Sequence, residues 1–248
     1  MQGCGANTPE QGDRLVTGRT YVAVSAHLDD VALSCSNFLA PNPGSRIVTV
    51  FAGGPASVRP LTPWDKATRY FADGADIIGV RRGEDMSAAA LLKASTCHLS
   101  YWDRQYRREE YGYCGPAAED LPRLIAADLV QCAGQNNPDD TWIVPLGLGH
   151  PDHRISGEAS LIFADQYHGD IFVYAEHPVD NSADIADRQR RLAERGYSLE
   201  RQVTPQRHRD LKAAVVRCHT SQRRALGWRA RRAIRRPEQI WRLIRDRV

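Results

Sequence analysis

Short apolar runs alternate with amphipathic segments along the first 176 residues. The runs resemble buried strands, and they lie at 21–25, 46–52, 99–102, 141–145 and 171–175. Helical patterns occupy the segments 31–40, 63–78, 82–94, 121–132 and 149–166. Strands that alternate with helices indicate an α/β fold. We therefore expect a Rossmann-like, mostly parallel sheet flanked by helices in a single domain.

The composition is that of a soluble globular protein. Of the 248 residues, 42% are apolar and 25% are charged. No apolar run reaches the roughly 18 residues of a spanning helix, and the N-terminus lacks the basic and apolar regions of a secretory signal. The six cysteines are scattered and form no CxxC pair, which suits a reducing compartment. We expect a cytoplasmic location without stable membrane insertion.

The two ends of the chain differ from its middle. Residues 1–18 are polar and glycine-rich, and are predicted to be a flexible arm. Residues 221–248 contain ten arginines and two acidic residues, so this tail carries +8 while the rest of the chain carries −5. Apolar residues are interspersed among the arginines, which predicts a basic amphipathic helix over 223–248. We expect that helix to dock on its own domain or on a second subunit, and a solvated tail and an anionic membrane surface are left open as alternatives. Nucleic acid is not expected as a partner, because no nucleic-acid-binding motif is present.

Polar motifs follow two of the predicted strands. The sequence AHLDD stands at 26–30 and GHPDH at 149–153. In each motif two potential ligands are three residues apart, a spacing that places them on one face. They are His27 with Asp30, and His150 with His153. Alone, a strand-end Asp is usually a helix cap and an HxxH pair is usually solvated. Together, two imidazoles and a carboxylate at strand ends indicate a catalytic zinc or iron site.

These motifs resemble those of the PIG-L/LmbE-like family of metal-dependent N-deacetylases, which carries AHxDD after its first strand and HxDH after a later one. Further segments also resemble the family. They are RRGED at 81–85, LSYWD at 99–103, VFAGGP at 50–55 with TPWD at 62–65, and KAAVVRCHTSQ at 212–222. VFAGGP with TPWD is similar to a subset from natural-product pathways that acts on acylated amino-sugars of antibiotics. The likeness spans about residues 20–222, so we expect a deacetylase domain over 19–222.

The resemblance implies eight site residues. The metal ligands would be His27, Asp30 and His153, with zinc as the expected metal and another divalent metal left open. The catalytic residues would be Asp29 as general base, His150 as a protonated partner of the developing oxyanion, and Asp152 orienting His150. The sugar contacts would be Arg81 and Asp103. The neighbouring Asp152 is expected to raise the pKa of His150.

The implied reaction is zinc-dependent hydrolysis of an N-acetyl or N-acyl group from an amino-sugar through metal-activated water. Some family positions differ: Leu28 replaces a frequent Pro, Val31 a frequent Glu, and Leu148 stands where some relatives have Tyr. Three alternatives stay open. They are an amidase for another amide such as a thiol-sugar conjugate, a decayed sugar-binding protein, and a nucleotide-binding Rossmann protein, which the missing GxGxxG disfavours. The expected partner is a small acylated amino-sugar, and a homo-oligomer is left open.

Two other features have less specific interpretations. The aromatic stretch from Tyr101 to Tyr113, interleaved with arginines, is predicted equally well as a stacking wall for a sugar or aglycone and as a packed loop. The remaining histidines lack ligand-like spacing, and at least four of them are expected to have surface or core roles. They are His98, His168, His177, His208 and His219.

Overall fold

Seven strands form one sheet in the order β3-β2-β1-β4-β5-β7-β6. The computed structural model describes residues 19–134, 140–177, 182–204 and 206–246, so the arm predicted for 1–18 lies outside the described residues. The strands are β1 Tyr21–Ser25, β2 Arg46–Thr49, β3 Ser95–His98, β4 Thr141–Pro145, β5 Ile171–Tyr174, β6 Tyr197–Gln202 and β7 Ile240–Arg245. The first five pair in parallel, and β7 is antiparallel to both of its neighbours.

Helices cover both faces of this sheet. They are α1 Asp30–Ser34, α2 Ser36–Leu39, α3 Pro63–Thr68, α4 Ile77–Leu91, α5 Leu121–Gly134, α6 Pro151–Gln166, α7 Ser182–Ala193, α8 Arg209–Cys218, α9 Thr220–Leu226 and α10 Trp228–Arg235. Along β1, Val22 and Val24 pack against the α5 and α6 side, while Tyr21 and Ala23 pack against the α2 and α8 side. Both faces are buried, which is why the central strands are continuous apolar runs.

The strand order places a crevice beside β1. The chain proceeds from β1 through β2 to β3 on one side, and then returns to add β4 on the other side of β1. The parallel pairing of β1 with β2 and with β4 brings the carboxyl ends of these strands to one edge of the sheet. In open α/β sheets, ligands bind at such a topological switch point. The segments after β1 and β4 carry the two predicted motifs, so the topology brings the motifs together.

The predicted fold class is confirmed, but the single helix predicted for 223–248 is wrong. The segment contains the end of α9, the short α10 and strand β7. Ile240 and Trp241 are buried on opposite faces of the sheet. That placement requires the alternation of a strand rather than the single apolar stripe of a helix. The sheet therefore continues past the domain boundary predicted at residue 222.

Several element bounds also differ from prediction. The helix predicted at 63–78 ends at Arg69, whose positive φ of 52° breaks α3. The next helix, α4, begins after Asp76, whose carboxylate accepts the Gly79 N–H at 2.8 Å. The strand predicted at 99–102 lies earlier as β3, and the helix predicted at 31–40 is split into α1 and α2. Strand β6 was not predicted, because its sequence is mostly polar at the sheet edge.

No helix in the described parts of the chain combines the length and the apolar composition that crossing a membrane requires.

Candidate metal centre and substrate cavity

A cavity of about 280 Å³ opens at the crevice between β1 and β4. Seven of the eight predicted site residues line it. They are His27, Asp29, Asp30, Arg81, Asp103, His150 and His153. The eighth, Asp152, is fully buried and lies behind His27, where its Oδ2 is 3.2 Å from the His27 Nε2. The structure thus brings all eight predicted residues together at one place.

Local hydrogen bonds shape the turn after β1. The Ser25 hydroxyl donates to the His27 carbonyl at 2.5 Å and accepts the Val31 N–H at 3.2 Å. The Asp30 Oδ2 accepts the His27 backbone N–H at 2.8 Å. Asp29 occupies the N-cap position of α1, but in the described structure its side chain makes no capping bond there. Its carboxylate lines the cavity instead, so the helix-cap explanation of this Asp does not hold.

Asp30 lies between two imidazoles. Its Oδ2 is 3.3 Å from the His27 Nδ1 and 3.1 Å from the His153 Nε2. The ligand atoms of these three residues all lie within 4.8 Å of one another. Two donors of a tetrahedral zinc site with bonds of about 2.1 Å lie about 3.4 Å apart. The observed spacing therefore fits a small divalent cation with little rearrangement.

The outer nitrogens of both imidazoles also fit a metal site. The His153 Nδ1 is 3.0 Å from the Leu148 carbonyl oxygen, and the His27 Nε2 contacts the Asp152 carboxylate. Metal-binding histidines commonly donate the N–H of their second ring nitrogen to a carboxylate or a backbone carbonyl. A second set, His27 with His150 and Asp152, also clusters within 4.8 Å. In that set the carboxylate is already occupied by Arg107 Nη2 and the Arg104 N–H, so the first set is the better ligand group.

The carboxylates of Asp30 and Asp152 favour positive charge on the neighbouring imidazoles of His27 and His153. Although burial opposes the shift, hydrogen bonds to Asp152 and Asp30 raise the pKa of His27 well above its usual range. Burial also opposes the shift at His153, but Asp30 raises its pKa to about 9. The pKa of Asp30 is held well below its usual range, against burial, by His153 and His27. A divalent cation bound here would displace protons from the imidazoles.

The pKa of His150 is shifted in the opposite direction from the one predicted. Burial and the nearby charge of His27 lower its pKa to about 4, so the prediction of a raised pKa is wrong. The Asp152 carboxylate contacts His27 and Arg107, and only the Asp152 backbone N–H contacts His150, by donating to its Nδ1 at 3.2 Å. His150 is thereby the N-cap of α6. The orienting group is the backbone of Asp152 rather than its side chain, which was predicted to do this.

Arg81 and Asp103 form an ion pair on the cavity wall. The Arg81 Nη1 is 3.3 Å from the Asp103 Oδ2, and both residues are buried. Asp103 also accepts the Gln105 backbone N–H at 3.1 Å. Although burial acts against it, the charge of Asp103 raises the pKa of Arg81. The pair presents a fixed cation and a fixed acceptor to the cavity.

The remaining wall comes from residues that sequence reasoning did not assign. They are Leu33, Trp64, Gln105, His177, Gln222, Leu226 and Arg229. The Trp64 Nε1 donates to the Gln222 Oε1 at 2.8 Å. His177 is one of the five histidines of which at least four were expected to have surface or core roles. The signal that could have identified it is its place in the segment after the buried strand β5, which ends at Tyr174 at the same sheet edge.

The segment at 212–222 is mainly structural. Lys212 is fully buried and its Nζ is 2.8 Å from the Glu238 Oε1. Ser221 donates its N–H and its hydroxyl to Glu84, each at 2.7 Å. Gln222 is the residue of this segment that lines the cavity. The Lys…Ser-Gln pattern thus holds α8 and α9 in place beside the site.

The aromatic stretch divides between two environments. Tyr101, Trp102 and Tyr113 line a separate cavity of about 590 Å³, whereas Tyr106 is fully buried in the core. Within 101–113, Asp103 and Gln105 are the residues that line the His/Asp cavity. The predicted aromatic stacking wall does not face the proposed ligands.

Comparisons with known proteins point to one family. The family described as PIG-L, GlcNAc-PI de-N-acetylase, matches residues 22–164. A 2'-N-acetylparomamine deacetylase of Niallia circulans is 30% identical over 195 residues, which cover 64% of this chain and 67% of that protein.

Solved structures of deacetylases share the fold, and two of them serve as examples. A deacetylase of the teicoplanin biosynthesis pathway, in complex with bog, has a TM-score of 0.73 at 22% identity, and the alignment covers 92% of this chain and 98% of that one. The zinc-inhibited form of teicoplanin deacetylase Orf2 has a TM-score of 0.70 at 22% identity, with the same coverage.

Proposed function

The chain belongs to the PIG-L family of GlcNAc-PI de-N-acetylases, and from this premise we propose that it is a zinc-dependent hydrolase that removes an N-acetyl or N-acyl group from an amino-sugar of a glycosylated natural product. Family membership makes the chain a hydrolytic N-deacetylase. The observation that carries the finer proposal is the cluster of two imidazoles and one carboxylate beside Asp29 in a single cavity.

The proposed metal ligands are the His27 Nδ1, the Asp30 Oδ2 and the His153 Nε2, whose spacing and outer hydrogen bonds suit a tetrahedral cation. A divalent cation held there would supply Lewis acidity to the acyl carbonyl and lower the pKa of a nearby water. Three protein ligands leave a position for water and substrate, as in catalytic zinc sites.

Asp29 is the proposed general base. Its carboxylate lines the cavity beside the ligand group, where it can take a proton from the attacking water and return it to the leaving amine. Proton transfer of this kind contributes roughly 10²–10⁴-fold to rate. The Arg81 guanidinium is close enough to Asp29 for their opposite charges to interact.

His150 is proposed to stabilise the oxyanion as a neutral imidazole. Its Nδ1 accepts the Asp152 backbone N–H, so its proton is on Nε2 and that nitrogen can donate. A well-placed donor to a developing oxyanion contributes about 3–4 kcal/mol. Some relatives have a Tyr at the position of Leu148. In this chain the His150 Nε2–H would be the side-chain hydrogen-bond donor to the oxyanion.

The substrate class is proposed from the cavity wall and the relatives. Arg81 and Asp103 offer a donor and an acceptor for sugar hydroxyls, and Trp64 with Leu226 offers apolar surface. The relative from Niallia circulans is described as acting on 2'-N-acetylparomamine, an acetylated amino-sugar compound. This supports an acylated amino-sugar as the substrate here.

The test is a deacylation assay with metal-loaded protein. A panel of N-acetylated amino-sugars, 2'-N-acetylparomamine and acylated glycosylated antibiotics is incubated with the protein, and loss of one acyl mass is followed by mass spectrometry. Zinc is supplied both stoichiometrically and in excess, alongside Co²⁺ and Mn²⁺, because a related deacetylase has a zinc-inhibited form. Chelated protein and Asp29→Asn are the controls. Folded, metal-loaded protein that removes no acyl group from the panel would contradict the proposal.

A further inference from the structure

Glu176 is a buried carboxyl group with no role in the proposed reaction. It follows β5, is 1% exposed, and lies at the sheet edge that carries the proposed metal ligands. A buried carboxylate requires hydrogen-bond donors to offset its desolvation. The donors that it uses connect it to a proposed metal ligand.

One oxygen of Glu176 binds two successive backbone groups after β4. Its Oε1 accepts the Gly147 N–H at 2.8 Å and the Leu148 N–H at 3.2 Å. The sheet sets up this meeting, because β4 and β5 pair in parallel up to Pro145 and Tyr174, and the Leu146 N–H donates to the Tyr174 carbonyl at 2.8 Å. Adjacent N–H groups that point at one anion fix the conformation of a turn.

The turn that Glu176 holds carries the acceptor for His153. The Leu148 carbonyl oxygen is 3.0 Å from the His153 Nδ1, and the Glu176 Oε1 is 4.0 Å from the same nitrogen. A carbonyl oxygen can only accept, so Nδ1 carries a proton, and Nε2, which lies 3.1 Å from the Asp30 Oδ2, is the nitrogen left to bind a metal once its own proton is displaced.

The same turn packs directly on the helix that carries His153. Gly147 has a φ of +88°, and a Cβ at this position would lie 3.0 Å from the Gly157 Cα and 3.2 Å from the His153 carbonyl oxygen. Contact this close leaves little room for the turn to move independently of α6. A shift of the turn would therefore change the orientation of the His153 ring.

We propose that Glu176 is a positioning residue of the metal centre, which acts through the Leu148 carbonyl to set the tautomer and orientation of His153. The proposal rests on the proposed function, because it requires His153 to be a ligand. Glu176 itself contacts neither metal nor substrate. Its two hydrogen bonds hold the Leu148 carbonyl in place. That carbonyl accepts from the His153 Nδ1 and so leaves Nε2 as the nitrogen that binds the metal.

The experiment measures metal binding in Glu176→Gln and Glu176→Ala. Zn²⁺ affinity is determined by competition with a chromophoric chelator, and ligand geometry is followed by the visible absorption of the Co²⁺-loaded protein. Loss of an outer hydrogen-bond partner of a metal ligand weakens affinity by roughly 10–100-fold. Both variants keep the Leu148 carbonyl, so we expect a loss of about tenfold, the lower end of this range, for Glu176→Ala, a smaller loss for Glu176→Gln, and an altered Co²⁺ spectrum in both.

Glu238→Gln is the matched control. Glu238 is also a buried carboxylate, and it also accepts two successive backbone N–H groups, those of Asn37 and Phe38, both at 2.9 Å. Its substitution should lower the melting temperature and leave the Zn²⁺ affinity and Co²⁺ spectrum of the folded protein unchanged.

Three results separate the outcomes. Glu176 variants that match the wild type in affinity and spectrum, and only lose stability as Glu238→Gln does, would overturn the proposal. Wild-type protein that binds no metal would instead overturn the proposed function. Should the Glu176 variants fail to fold, ¹⁵N NMR of histidine-labelled, zinc-loaded wild type decides: we expect coordination through the His153 Nε2, and coordination through Nδ1 would refute the proposal.

Discussion

The buried ion pair between Lys212 and Glu238 is expected to contribute strongly to the stability of the domain. The Lys212 Nζ is 2.8 Å from the Glu238 Oε1, and neither side chain is exposed. Glu238 also accepts the backbone N–H groups of Asn37 and Phe38. One carboxylate thereby joins α8, α2 and the segment that leads into β7. The perturbation is Lys212→Met, which keeps most of the side-chain volume and removes the charge.

The expected loss follows from burial. Removal of one partner of a buried pair leaves an uncompensated charge and costs about 3–5 kcal/mol. The two backbone donors to Glu238 remain, and charge-assisted bonds of this kind contribute about 1.5–3 kcal/mol each. We therefore expect a loss near the lower limit, about 3 kcal/mol. That is a large part of the roughly 5–15 kcal/mol that stabilises a typical domain.

The assay is urea unfolding followed by circular dichroism and tryptophan fluorescence, with a chelator present so that metal binding does not add to stability. Arg19→Met is the control, since the Arg19 Nη1 is also 2.8 Å from Asp170 but these side chains are 44% and 34% exposed. An exposed pair contributes about 0–1 kcal/mol. The double variant Lys212→Met/Glu238→Gln should recover part of the loss, because both charges are then absent and the Gln amide oxygen can still accept a backbone N–H.

The reasoning would be refuted by a specific result. If Lys212→Met lowers the free energy of unfolding by less than about 1 kcal/mol, as Arg19→Met is expected to do, then burial does not decide the strength of this pair.

Three further predictions concern the site. Asp29→Asn should keep the wild-type metal content by elemental analysis and lower kcat by roughly 10²–10⁴-fold; near-normal turnover would contradict its role as base. The Zn²⁺ affinity should rise with pH through the neutral range, by up to about tenfold per pH unit for each proton displaced. Although burial opposes the shift, Asp30 raises the pKa of metal-free His153 to about 9. Below that pH a cation must displace the His153 proton before it can bind. A flat affinity in a chelator competition would contradict the prediction. Arg81→Lys should lower kcat/KM about ten- to hundredfold in steady-state assays, because an ammonium cannot reproduce the guanidinium fork; unchanged kinetics would remove Arg81 from the substrate contacts.

Much of the proposed metal group could be predicted because each half of it is local. AHLDD and GHPDH each follow a buried strand, and parallel strands end at a common edge, so the motifs had to meet if the fold was right. The structure places the three predicted ligand atoms within 4.8 Å. The spacing in the two motifs indicated a site of two imidazoles and a carboxylate, and the resemblance to the family supplied the three ligands His27, Asp30 and His153.

The state of His150 could not be predicted in the same way. Proximity in sequence to Asp152 favoured a protonated imidazole. The carboxylate is directed instead to His27 and Arg107, the latter from a loop about forty-five residues earlier in the chain. The pKa of a side chain depends on the burial and charges around it in space, and these neighbours come from three separate segments.

The tail shows the same limit for secondary structure. Its apolar residues suited a basic helix, because Ile, Trp and Arg can be arranged on a helical face. The exposed edge of β5 offers backbone partners that only exist once the sheet has formed, and β7 pairs with it. Tertiary context therefore overrides a weak local preference.

The sequence alone determined the fold class and the edge of the sheet that carries the chemistry, because these depend on strand patterning and short-range spacing. The residues proposed to bind the metal came from the resemblance of two short motifs to those of the family. The tertiary structure decided which carboxylate faces which imidazole, how the tail closes the sheet, and which side chains of α3, α9 and α10 form the rest of the cavity wall. These features depend on contacts between residues far apart in the chain, whose burial and mutual orientation are set only when the helices pack on the sheet.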